Sequence, residues 1–144
     1  MSFALDEKGS IYIAYNFIDR IEKADNQGRV IWSRELLNGA KAKLENKFGR
    51  MLPTAFVYKD ISVDRNQRVY VLGGSYSENR SRDVYILNSE GTLIGKLVLP
   101  DTSHCIYVDA DGYIYSRANE GTSLIKMEIE YEDGERRLND KDNR

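Results

Sequence analysis

The sequence predicts an all-β chain of about three four-stranded antiparallel units, and three observations carry that expectation. The first is a phrase stated three times: Phe3 to Ile13 reads FALDEKGSIYI, Ile61 to Val71 reads ISVDRNQRVYV, and Ile106 to Ser116 reads IYVDADGYIYS. The second is another phrase that follows each copy. The third is a strand-forming vocabulary, with ten Tyr, one Trp and many β-branched residues. A supersecondary unit that recurs at tens of residues is built to pack against its own copies.

Each unit opens on a strand, an Asp-headed turn and a second strand. The Asp positions are 6, 64 and 109, giving spacings of 58 and 45 residues (6 to 64 and 64 to 109). The shorter spacing lies in the range of about 40–50 residues of a four-stranded propeller blade. The Asp carboxylate can accept hydrogen bonds from backbone N–H groups two residues ahead. Gly9 and Gly112 tolerate positive φ in these turns, and Gln67 holds the equivalent place in the middle unit. Ile11-Tyr12-Ile13, Val69-Tyr70-Val71-Leu72 and Ile114-Tyr115 then read as strands covered on both faces, since they barely alternate.

The second half of each unit reads strand, tight turn, strand. Arg20 to Asp25 leads through Asn26-Gln27-Gly28 into Arg29-Val30-Ile31-Trp32, and Asp83 to Asn88 leads through Ser89-Glu90-Gly91 into Thr92-Leu93-Ile94. The last copy runs Leu124 to Ile129, with a turn at Glu132-Asp133-Gly134. Turns this short join antiparallel neighbours, so each unit is a meander. Between Arg34 and Pro53, Leu37, Ala40, Leu44, Phe48 and Leu52 recur at steps of three and four with Lys41, Lys43, Glu45 and Lys47 between them. This periodicity predicts a short helix over about 34–50, ending at Gly49, that either binds a partner or covers a patch of its own fold. The organisation expected is units at about 1–33, 57–98 and 102–138 within one partial propeller of 1–138, then a charged tail at 139–144.

Composition bounds the function classes. With 21 basic and 23 acidic residues the formal charge is −2, which argues against nucleic acid or an anionic membrane as the main partner. No run approaches the roughly 18 apolar residues of a membrane span. Cys105 is the only cysteine, so no internal disulfide is expected, and no charged-then-apolar leader precedes Phe3. Compartment is not legible.

The residues also carry a resemblance. Asp6, Gly9, Ile11, Tyr12, Asn16, Arg20, Ile21, Lys23 and Gly28 stand in the order of the NHL-type repeat of six-bladed β-propellers, and the other units follow it more loosely. The second unit departs by carrying Gly73 to Ser81 in place of a short loop. The resemblance implies a β-propeller fragment of about three four-stranded blades with one inserted short helix. Three blades at about sixty degrees each would span half a six-bladed ring and leave two apolar faces open. Either further blades of a longer chain or a second copy in a homodimer would complete it.

Motifs of chemistry are sparse. Asp109-Ala110-Asp111-Gly112 resembles the start of a calcium loop, but Tyr113 stands where a third oxygen ligand belongs, so a blade turn is expected. His104 and Cys105 adjoin, yet neighbours on a strand point to opposite faces, so no thiolate–imidazole pair is expected. No catalytic residue, metal or cofactor is assigned. Recognition is expected on the loops between second and third strands, where Asn16, Asp19, Tyr76, Arg80, Arg82, Arg117 and Asn119 can anchor or fork hydrogen bonds to a protein, peptide or glycan. The alternative is a fragment of a propeller enzyme, of metal-dependent lactonase or lyase type, whose site needs further blades.

Overall fold

The computed structural model describes residues 1–130. Among these residues three antiparallel blade sheets and one two-stranded sheet follow one another along the chain. Blade 1 is the meander β1 (Ser2–Leu5), β2 (Ile11–Ala14), β3 (Ile21–Ala24) and β4 (Val30–Arg34), in spatial order 1-2-3-4. A separate hairpin, β5 (Leu44–Lys47) and β6 (Arg50–Pro53), comes next. Blade 2 is β7 (Tyr58–Val63), β8 (Val69–Gly73), β9 (Asp83–Leu87) and β10 (Leu93–Val98), again in sequence order. Blade 3 holds β11 (Ile106–Val108), β12 (Tyr113–Ala118) and β13 (Ser123–Glu128). The expected fourth strand of blade 3 and the tail at 139–144 lie outside the described residues.

The threefold phrase has a threefold geometry. Asp6 Oδ1 accepts from the backbone N–H of Lys8 and Ser10, and Oδ2 accepts from the Tyr12 hydroxyl. Asp64 does the same with Asn66, Arg68 and Tyr70, and Asp109 with Asp111, Tyr113 and Tyr115. One carboxylate thus fixes the turn and pins a tyrosine of the second strand across it. Asp25 and Asn88 cap the β3–β4 and β9–β10 turns by the same i+2 and i+4 N–H bonds.

Blades pack face to face and bury two apolar layers. Between blades 1 and 2 lie Tyr12, Ala14, Ile21, Trp32, Ile61, Val69, Val71 and Tyr85. Between blades 2 and 3 lie Tyr70, Leu72, Val84, Ile86, Ile106, Val108 and Ile114. Strands β8 and β9 are buried along their whole length because blade 2 is covered on both sides. That explains why their sequence does not alternate.

The expected helix over 34–50 is not formed. Leu36, Leu37 and Ala40 pack on the first apolar layer from a loop. Asn38 and Gly39 both take positive φ in a turn closed by Ala40 N–H on the Leu37 carbonyl. Phe48 and Gly49, also both at positive φ, make the two-residue turn of the β5–β6 hairpin. Two consecutive left-handed residues suit a right-twisted hairpin and stop a helix. The spacing of three and four came from a loop followed by a ribbon, and the helix-forming Lys, Glu and Leu are a weak prior that packing overrides. No helix among the described residues is long and apolar enough to cross a membrane.

Candidate functional site

The loops between second and third strands share one end of the blades with the blade-to-blade connections, and the two sets of segments are laced together. Asn16 carbonyl accepts from Val57 N–H, while the Asn16 amide donates to the Tyr58 carbonyl at 2.9 Å. Gly74 N–H bonds the Val57 carbonyl, and Ser75 N–H bonds the Phe56 carbonyl. Further round, Leu99 N–H bonds the Arg82 carbonyl, Ser103 N–H bonds the Ser81 carbonyl, and Arg117 N–H donates to Ser103 Oγ. A side chain on Gly74 would sit 2.2 Å from the Phe56 carbonyl oxygen, so this lacing requires glycine there.

The seven residues expected to recognise a ligand divide accordingly. Asp19 is buried, and its carboxylate accepts from the N–H groups of Leu36, Leu37 and Gly39 and from the Tyr58 hydroxyl. It organises the segment leading to the hairpin. Burial and this partner together push the Tyr58 hydroxyl pKa up. Asn16 ties blade 1 to blade 2. Tyr76 packs on the first apolar layer and its hydroxyl accepts from Lys43 N–H. Arg82 Nε donates to the Leu99 carbonyl at 2.8 Å. Arg80 is exposed on its loop. Arg117 is exposed and donates to the Gly121 carbonyl, and Asn119 opens the 3-10 turn Asn119–Gly121.

A cleft of about 310 Å³ opens at this end, lined by Thr102, Ser103, His104, Arg117, Glu120 and Gly121. At its border Lys59 Nζ lies 3.2 Å from His104 Nδ1. Burial holds the Lys59 ammonium below its usual pKa. Cys105 follows His104 on the same segment. Of the seven expected residues only Arg117 lines this cleft. The Lys59–His104 pair joins two inner-strand segments 45 residues apart, so nothing local in the sequence marks it.

The seam between blades 2 and 3 holds two polar groups that sequence reasoning missed. Asp60 Oδ2 accepts from Ile106 N–H at 2.8 Å, and Ser62 Oγ accepts from Val108 N–H at 3.0 Å. Burial raises the Asp60 pKa, and the N–H groups of Ile106 and Ile61 oppose that rise. The opposite end of the blades carries the Asp turns. A cavity of about 240 Å³ there touches Asp6, Asp64 and Asp109, whose carboxylates are already engaged by their own turns. At Asp109 burial raises the pKa, but the Tyr113 N–H, the Tyr115 hydroxyl, the Asp111 N–H and the Lys126 charge together outweigh it and leave the carboxyl below its ordinary value. Among the described residues no group of three or more His, Cys, Asp and Glu is placed to hold a metal ion.

No family model and no curated protein matches the sequence. Solved structures do match the fold. The Pan2 WD40 domain of Neurospora crassa aligns with 88% of this chain at 15% identity and a TM-score of 0.57. Virginiamycin B lyase from Staphylococcus aureus aligns with 89% of it at 12% identity and a TM-score of 0.52. A luciferin-regenerating enzyme aligns with 89% at 10% identity and a TM-score of 0.53. This chain spans 32%, 40% and 44% of those three chains, respectively. Identities this low speak to architecture alone, and on architecture the three agree: the chain has the fold of consecutive β-propeller blades.

Proposed function

We propose that this chain is a propeller-type interaction module whose contact element is the β5–β6 hairpin, and that its partner is a protein segment with an apolar anchor and acidic flanks. The carrying observation is the two-faced character of the ribbon. Cross-strand pairing puts Leu44, Asn46, Met51 and Pro53 on one face and Glu45, Lys47, Arg50 and Leu52 on the other. Leu44 and Met51 are exposed, and Phe48 at the turn is wholly exposed. At the base, exposed Phe17 and Phe56 stack with ring centroids 5.3 Å apart. An apolar stripe on one face, backed by Lys47 and Arg50 on the other, is the kind of surface that marks protein recognition. Both ribbon edges also offer backbone groups to an added strand.

Selection of a random-peptide phage library on the immobilised chain tests this, with Phe48→Ser and Met51→Ser as counter-targets. Enriched peptides should carry apolar anchors beside Asp or Glu and lose at least tenfold in affinity on the variants. Peptides indifferent to both substitutions would sink the reading.

The cleft beside His104 supports a second reading, a section of a lyase- or lactonase-type propeller whose metal ligands come partly from further blades. Calcium or zinc should then raise the melting temperature, because binding to the native state stabilises it. An unchanged melting temperature with both ions would count against this reading for the 144-residue chain.

A further inference from the structure

The repeat can be used to ask what each outer blade face is made for. Counting from the turn Asp, the residues three and one before it and five and seven after it point toward the preceding blade. In blade 2 these are Ile61, Val63, Val69 and Val71, which pack on blade 1. In blade 3 the first three are Ile106, Val108 and Ile114, which pack on blade 2. In blade 1 they are Phe3, Leu5, Ile11 and Ile13, all apolar, with Phe3 64% and Leu5 61% exposed. The residues two before and six after the Asp point toward the following blade. Blade 1 uses Ala4 and Tyr12 for this, and blade 2 uses Ser62 and Tyr70. Blade 3 presents Tyr107 and Tyr115, and beside them Leu124, which is 70% exposed and stands where blade 1 has fully buried Ile21.

We propose that two copies of this chain join head to tail, blade 3 of each seating on blade 1 of the other. The two outer faces are the same two kinds that already mate inside the chain, and their polar groups are matched. Lys23 lies over the Tyr12 ring and donates to the Ser89 carbonyl, in the β9–β10 turn of the following blade. Lys126 lies over Tyr115 in the same register, and the residue equivalent to Ser89 in blade 1 is Asn26, one past the turn-capping Asp25. Lys126 of one copy therefore donates to the Asn26 carbonyl of the other. Arg117 takes the place of Ala14, and Glu22 takes that of Tyr85, two residues that share one apolar layer. A cation on one face thus meets a carboxylate on the other. With about sixty degrees per blade, as the six-bladed resemblance implies, the assembly closes at two copies.

Sedimentation equilibrium of the 144-residue chain over the micromolar range tests this directly. The expected mass is twice that of one chain. Phe3→Asp and Leu124→Asp should each give a monomer, checked for cooperative melting, since both side chains are exposed and neither supports the fold of its own chain. An equimolar mixture of the two variants should associate, because it restores one intact contact. Arg117→Glu and Glu22→Lys should each weaken dimerisation by about tenfold, and the chain carrying both should recover it. Phe48→Ser should leave the mass unchanged, which separates this surface from the hairpin. A wild-type monomer would mean that the faces await blades of another sequence and would overturn the proposal. So would species larger than two, a dimer insensitive to Phe3→Asp, or a mixture that stays monomeric.

Discussion

The two seams between blades share an apolar layer and differ in their polar fastening. The seam between blades 1 and 2 is fastened from outside: Trp32 Nε1 and Lys23 Nζ donate to the Ser89 carbonyl, and Arg34 donates to the Glu90 and Gly91 carbonyls. Its inner end is held by Asp19 and Asn16 reaching the segment around Tyr58. The seam between blades 2 and 3 is fastened at the innermost strands, where Asp60 and Ser62 accept from N–H groups of β11. One repeat therefore sets the spacing and facing of the blades, while the polar pairs that lock each seam are particular to it. Buried polar groups demand partners wherever they fall, so the two solutions need not match.

The largest test of this contrast is Asp19→Ala. It leaves three N–H groups and the Tyr58 hydroxyl without their acceptor. Chemical denaturation should show a loss of about 4 kcal/mol. A loss under about 1 kcal/mol would mean that water replaces the carboxylate easily. Trp32→Ala should come next, at about 3 kcal/mol, since it removes both the ring packed near Tyr12 and the bond to Ser89. Ser62→Ala in the other seam should cost about 1 kcal/mol, by loss of one neutral hydrogen bond. Combined with Trp32→Ala, its effect should be additive within about 0.5 kcal/mol, because the two seams share no partner. A larger coupling energy would show that the blades unfold with their seams linked through blade 2.

The smallest expected effect is a pH dependence centred on Asp60. Its native pKa is raised by burial above the ordinary 3.8, so the native chain holds a proton that the unfolded chain has released. This group's contribution is therefore greatest below that value and declines as pH climbs through the raised native pKa. Asp60→Asn should remove that share of the slope. The melting temperature of the wild type should fall relative to that of the variant as pH rises above 3.8, and a constant offset would refute the assignment.

How much of this was legible in advance varies by region. The four-stranded meanders β1–β4 and β7–β10 were readable because period, turn and strand vocabulary all agreed there. The tyrosine six places after each Asp was visible as a repeat, yet strand propensity explained it sufficiently, and only the structure shows its hydroxyl on the carboxylate. At 34–53 the local signals conflicted. Helix-forming residues at helical spacing stood against Asn38-Gly39 and Phe48-Gly49, and the turn dipeptides prevailed. Of the expected recognition residues, Asn16, Asp19 and Arg82 have polar types that a solvated loop and a tertiary tie use equally, so type alone did not separate the two roles.

The amino-acid sequence by itself determined the repeat unit, its turns and its strands, because these follow from neighbours within a dozen residues. The tertiary structure alone decided that Asp19 is sealed beneath a loop and that His104 meets Lys59. Those outcomes depend on groups brought together from 17 to 45 residues apart, where desolvation and hydrogen bonding act between segments that carry no mark of one another.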